Sequence, residues 1–277
     1  MSRSSKRRIG NLVRSVLLLG LALVAAVPLY YIVVNSFKTQ AEMSLGPLAL
    51  PKEFSFGNYV DVFRETPIVR SFFNTLVVTA AGVGLMVLVG SCAAYGMIMR
   101  RSKFTALVGT ILLIAFVIPG QATLIPLYRF EAHLSLVNTL SGLVLIYLSG
   151  SIFCYFLIVG YMRKLPNELF EAAKLDGATP FQIYWRIVLP LIKPMLITVV
   201  VFQTMWVWND FLNPNVFISS SEKRTLVLQV YNAVGQFTTD WPLFLTLTVL
   251  TLLPIFLFFI FCQRWIVAGL TAGSIKG

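Results

Sequence analysis

The sequence predicts an all-α, polytopic membrane protein with six transmembrane helices in a single domain, residues 1–277. Three observations carry this. Apolar residues make up 57% of the chain and charged residues 12%, with mean hydropathy +0.82. Soluble domains hold roughly 45–50% and 25%. The apolar residues gather into six runs of a length suited to a hydrocarbon core of roughly 30 Å. The basic residues between those runs alternate from dense to sparse.

Met1–Gly10 is a basic segment with Arg3, Lys6, Arg7 and Arg8, and Leu12–Val34 is the first span. A cleaved signal peptide is the rival reading, since Ala22, Ala25 and Ala26 are small. The apolar run exceeds the roughly 7–15 residues of a signal core, which favours an uncleaved span. Asn35–Arg70 is polar, holds Pro47, Pro51 and Pro67, and has room for a short amphipathic helix near Asn58–Glu65. Ser71–Met99 is the second span. Its Gly82, Gly84, Gly90 and Ala93–Ala94 make it a candidate packing helix, because small residues let membrane helices approach closely. Phe104–Leu127 is the third, interrupted at Pro119–Gly120 and Pro126. Either a kink or a simple helix end fits those prolines.

Val137–Met162 is the fourth span, 194–212 the fifth and 243–261 the sixth, with a tail over 263–277. Residues 163–193 form the most charged interior segment. Its chemistry reads as two short helices. Pro166 or Asn167 starts the first, and Glu168 and Glu171 sit near its positive end. Gly177 closes it with a left-handed residue. Thr179 caps the second, with Pro180 in its first position and Gln182 completing a capping box. Pro190 and Pro194 are expected to end that helix, since neither can donate to its ladder.

The charge pattern orients the chain. The ends of the chain, the turn at residues 100–103 and the 163–193 loop together hold fifteen Lys and Arg. The three remaining connections hold seven. By the positive-inside rule both termini and the 163–193 loop face the cytoplasm. This distribution explains the net charge of +11 as membrane topology rather than nucleic-acid binding. Cys92, Cys154 and Cys262 lie in apolar runs and read as free thiols. The lone His133 excludes a multi-histidine metal site.

The spans hold almost no ionisable groups, which argues against an ion-coupled carrier. There is also no Gly-x-x-x-x-Gly-Lys-Ser/Thr phosphate loop. A solute path without either must draw its energy from another polypeptide.

Glu171-Ala172-Ala173, three residues, Gly177, nine residues, then Ile187-x-Leu189-Pro190 resembles the cytoplasmic loop of permease subunits of binding-protein-dependent ABC importers. All seven fixed positions of that pattern are present. The resemblance implies a type I importer permease architecture, in which the two short helices dock in a groove on a cytoplasmic ATPase. It assigns that docking to Glu168, Glu171, Ala172, Ala173, Asp176, Gly177, Ala178, Ile187, Leu189 and Pro190. For Asp176, a solvated turn carboxylate is the plainer reading.

Trp206-x-Trp208-Asn209-Asp210-Phe211 resembles the Trp-Asn-Asp-Phe stretch of carbohydrate-type permeases. Phe202, Trp206, Asn209 and Asn213 share one helical face. Aromatic rings and amides suit a sugar, so Phe202, Trp206, Trp208, Asn209 and Asp210 are candidate path residues. An interfacial aromatic belt, or a helix end at Asn209–Asp210, is the alternative. The Gly269-Leu270-Thr271-Ala272-Gly273 and Lys276-Gly277 ending looks like the second permease of the maltose-type subfamily. The resemblance implies that Gly269, Leu270, Thr271, Gly273 and Lys276 reach the ATPases. Composition alone reads the same tail as frayed, with Arg264 and Trp265 anchoring the last span.

The resemblance therefore implies a non-enzymatic permease subunit in a bacterial-type plasma membrane. Its implied partners are a second permease, two cytoplasmic ATPases that bind ATP and Mg, an extracytoplasmic solute-binding protein and a sugar. No cofactor is expected in this chain. The alternatives are a permease of the same architecture for another solute and a standalone carrier or channel.

Overall fold

The computed structural model describes the backbone of residues 3–100, 102–234 and 240–274, and side chains over 10–100, 102–234 and 240–265. The described residues form helices and turns. Among them, five helical stretches are long and apolar enough to cross a membrane: Gly10–Asn35, Ile68–Met99, Leu140–Met162, Pro180–Trp208 and Trp241–Trp265. A sixth candidate is a pair, Lys103–Val117 and Gly120–His133, bent by 96°. The third span is thus straight only to Val117. Ile118, ahead of Pro119, takes an extended backbone with φ −68° and ψ 122°, as residues before proline do. Pro126 falls in the first turn of the next helix, where its missing N–H has no role.

The chain's contacts divide it into two compact units. The first comprises residues 1–68 and 229–253. Its helices are α1 (Arg3–Asn35), α2 (Gln40–Leu45) and α3 (Gly57–Glu65), with the start of a long last helix. A polar knot closes the end of α1. The Asn35 amide donates to Tyr31 O and Pro47 O, and Asn58 donates to Ser36 O and Lys38 O, all at 2.8–2.9 Å. Lys38 is 1% exposed and donates to Asn35 Oδ1 and Gly46 O. A buried ammonium held by neutral acceptors makes this knot sensitive to the loss of any member. Helix α3 lies where the alternating apolar residues of 57–65 allow an amphipathic turn, burying Val62.

The second unit comprises residues 69–228 and 254–277. It contains α4 (Ile68–Met99) from Val69 on, α5 (Lys103–Val117), α6 (Leu124–His133), α7 (Leu140–Tyr147) and α8 (Ser151–Met162). Then come α9 (Asn167–Leu175), α10 (Pro180–Ile183), α11 (Leu189–Trp208), α12 (Leu212–Phe217) and α13 (Leu226–Asn232, to Leu228). The last helix, α14 (Trp241–Ser274), enters this unit at Pro254.

Among the small residues of α4, Gly90 is the one that closes the packing. A Cβ there would sit 2.6 Å from Cys154 Cβ and 2.9 Å from Ser151 O, so α4 and α8 touch backbone to backbone. Ala94 is fully buried, whereas a Cβ on Gly84 would meet nothing within 4 Å. The surrounding core includes Met86, Tyr147, Ile158, Met162, Tyr184 and Ile192.

Two expectations need correction. Pro190 and Pro194 do not end the second short helix; one helical stretch runs from Pro180 to Trp208. Residues 184–188 widen into a π-turn, with the Leu189 N–H donating to Tyr184 O five residues back. The wider turn directly precedes Pro190, where a regular turn would press the ring against the carbonyl four residues earlier. The helix that carries the fifth span therefore starts at Pro180, ahead of the expected 194, and ends at Trp208 rather than 212. Likewise the tail that composition reads as frayed is helical as far as Ser274, as part of the last helix.

Candidate functional site

The 163–193 segment folds as a helical hairpin. Helix α9 follows Pro166 and closes in a Schellman arrangement. Ala178 N–H donates to Ala173 O at 3.0 Å and Gly177 N–H to Lys174 O at 3.1 Å, with Gly177 at φ +77°. The Thr179 hydroxyl then accepts from Gln182 N–H, and Gln182 Oε1 accepts from Thr179 N–H at 2.8 Å. Each of these groups was legible from residue type and spacing.

The structure sorts the hairpin residues by face. Phe170 and Ala173 are buried against the core, while Glu168, Glu171, Ala172, Asp176 and Gly177 are exposed. Ala173 thus packs inward and does not share an outer face with Ala172. Leu169 is 43% and Leu175 89% exposed, flanking Ala172 at three-residue steps. On the second arm Phe181 and Trp185 are 71% and 46% exposed, their rings 5.8 Å apart. Ala178, Ile187 and Leu189 support it from behind by packing on the core, and Pro190 is exposed at the start of α11.

Residues outside the motif anchor the hairpin. The Tyr95 hydroxyl on α4 donates to Pro180 O at 2.9 Å, and Ser91 Oγ meets Tyr184 Oη at 2.8 Å. The Tyr95 and Tyr184 rings lie 5.4 Å apart. The signal for these was available: a tyrosine in an apolar run needs a partner for its hydroxyl.

From the hairpin a single helix of about 43 Å, at 1.5 Å per residue, leads to the Trp-rich stretch. Gln203 ties it to the turn directly ahead of α8 by donating to Gly150 O at 2.9 Å. At its far end Trp206 and Trp208 point apart. Trp206 is 46% exposed, with its ring 5.6 Å from Tyr147. Trp208 is buried, 6.1 Å from Phe72, beside a 300 Å³ pocket that also includes Thr79 and Thr204. Asp210 is committed to the protein: it accepts from Tyr147 Oη (2.7 Å), Asn213 Nδ2 (2.8 Å) and Leu212 N–H (3.0 Å). Asn209 donates to Met205 O of its own helix. These two residues therefore end the helix, and Phe202 is part-buried two turns before that end.

Gly269, Leu270, Thr271 and Gly273 lie on the last turns of α14, and Lys276 lies outside the described residues. The Arg264 guanidinium stacks 4.2 Å from the Trp265 ring centre.

Residues 86–271 match the family described as binding-protein-dependent transport system inner membrane component. The chain belongs to that family. It is a multi-pass inner-membrane permease subunit rather than an enzyme. Among curated relatives, the probable starch degradation products transport system permease protein AmyC of Thermoanaerobacterium thermosulfurigenes is 36% identical. The alignment spans 90% of this permease and 91% of that one. The melibiose/raffinose/stachyose import permease protein MelC of Bacillus subtilis is 29% identical, over 91% of this permease and 91% of that one. A chain in the crystal structure of a bacterial ABC transporter involved in the import of alginate, an acidic polysaccharide, has the same fold. Its TM-score is 0.84 and its identity 24%, covering 95% of this permease and 98% of that chain.

Proposed function

We propose that this permease is one half of a sugar-conducting path. Its 163–193 hairpin faces the cytoplasm and docks on an ATPase, and its termini lie on the same side. A second permease completes the path, an extracytoplasmic binding protein delivers the sugar, and two ATPases bind ATP and Mg. The observation that carries the reading is mechanical. The hairpin exposes Leu169, Ala172 and Leu175 on its first arm and Phe181 on its second, and the second arm runs as one helical stretch to Trp206 and Trp208. Force applied to α9 passes through the Gly177 turn and then along that one helix.

The sugar assignment is supported by the relatives, whose names specify starch products and raffinose-type oligosaccharides. Trp206 is the residue this reading places beside the solute, since its ring is exposed and braced by Tyr147. Asp210 orients that brace rather than binding sugar, its oxygens being already engaged. The spanning window of α1 is wholly exposed, which leaves it for lipid or for the second permease. ATP binding would shift the path between two states only through differential contact at the hairpin.

The test is cross-linking from Ala172→Cys in membranes containing the full transporter. Capture of a nucleotide-hydrolysing subunit is expected. Labelling of Ala172→Cys only by reagents added outside the cell would refute the orientation.

A further inference from the structure

The start of α5 separates two open grooves in the second unit. One, of about 740 Å³, runs between α5 and α8 along Ala106, Leu113, Phe156 and Val159, and ends at Arg163. The other, of about 800 Å³, runs between α4 and α5 along Ala93, Gly96, Val108 and Leu112, and ends at Arg100. Both include Met97, Ser102 and Thr105, so they meet where α5 begins.

The walls of the groove between α4 and α5 are mainly apolar. Those of the groove between α5 and α8 add Thr110, Tyr155 and Asn167 to the apolar residues, and the meeting point is polar and positive. Arg100 and Arg163 are exposed, and among the described residues neither has an ion-pair partner. Among the described residues no carboxylate lines either groove. Ser102 caps α5, and Lys103 is that helix's first residue, which adds the positive end of a fifteen-residue helix at the same place. Two apolar channels leaving one cationic junction have the shape of two acyl chains under one phosphate. Basic pockets between spanning helices suit anionic head groups for this reason.

We propose that the paired grooves bind one anionic phospholipid. Its phosphate lies between Arg100 and Arg163 at the start of α5, and one acyl chain fills each groove. Charge complementarity commits the site to an anionic lipid rather than a neutral one, and the double apolar channel to a lipid rather than a free phosphate.

The test uses the permease purified with the subunits that accompany it, washed in mild detergent. It is titrated with phosphatidylglycerol or phosphatidylcholine of matched chains, and bound lipid is counted by native mass spectrometry. One phosphatidylglycerol per permease is expected, with phosphatidylcholine binding far more weakly. Arg163→Gln and Arg100→Gln should each weaken binding about fivefold. Ala106→Trp, which keeps both arginines but fills a groove, should weaken it as well. Soluble glycerol phosphate should not displace the lipid. Equal binding of both lipids, indifference to all three substitutions, or displacement by glycerol phosphate would overturn the proposal. So would a cross-link from Ala106→Cys to the second permease with no lipid retained. The readout needs neither sugar nor ATP, so it stands apart from the transport reading.

Discussion

Replacing Gly177 by leucine isolates the geometry of the hairpin from its stability. Gly177 has φ +77°, a region costing an L-residue about 1–2 kcal/mol. A Cβ there meets nothing within 4 Å, so no steric term adds to that penalty. Against a domain stability of about 5–15 kcal/mol, the fold survives. Locally the same penalty shifts the turn population about 5- to 30-fold, against the two backbone hydrogen bonds of the Ala173–Ala178 motif. The arms of the hairpin should then lose their fixed angle while the spans stay intact. The assay is reconstitution with the second permease, the ATPases and the binding protein, measuring sugar taken up per ATP hydrolysed. Gly177→Leu should lower that ratio with little change in melting temperature, and Gly177→Asn, which tolerates the left-handed region better, should fall between. An unaltered uptake-to-hydrolysis ratio in Gly177→Leu would refute the reasoning.

Other outcomes follow from individual contacts. Ala172→Cys should react with a soluble thiol reagent far faster than Ala173→Cys, which is 7% exposed; equal rates would mean that Ala173 does not pack inward. Gly90→Ala places a methyl 2.6 Å from Cys154 Cβ and should destabilise by about 1–3 kcal/mol through overpacking. Gly84→Ala, with open space, serves as its neutral control in the same thermal melt. Tyr147→Phe removes one of three donors to Asp210 and should cost about 1.5–3 kcal/mol, read as a lower melting temperature that Asp210→Asn partly shares. Glu131 is fully buried, and neither carboxylate oxygen has a hydrogen-bond partner among the described residues. Glu131→Gln should therefore raise the melting temperature, and a drop would refute the reading that the buried carboxylate is destabilising.

What the sequence by itself determined is local. Span positions follow from apolar length, and the hairpin follows from Gly177, Thr179 and Gln182, whose roles depend on residues within one turn. The broken third span was legible because Pro119 removes a donor wherever it stands. What only the tertiary structure decided involves neighbours far along the chain. Pro190 and Pro194 look like stops, yet packing of Tyr184, Val188 and Ile192 holds a π-turn that carries the helix past them. Ala172 and Ala173 are chemically alike, and only the core behind Phe170 turns one inward. Asp210 resembles a sugar ligand by composition, but Tyr147, sixty-three positions earlier, engages its carboxylate. Local rules set where helices begin and turn. Which face is free to meet a partner depends on burial, and burial is a property of the whole packed unit.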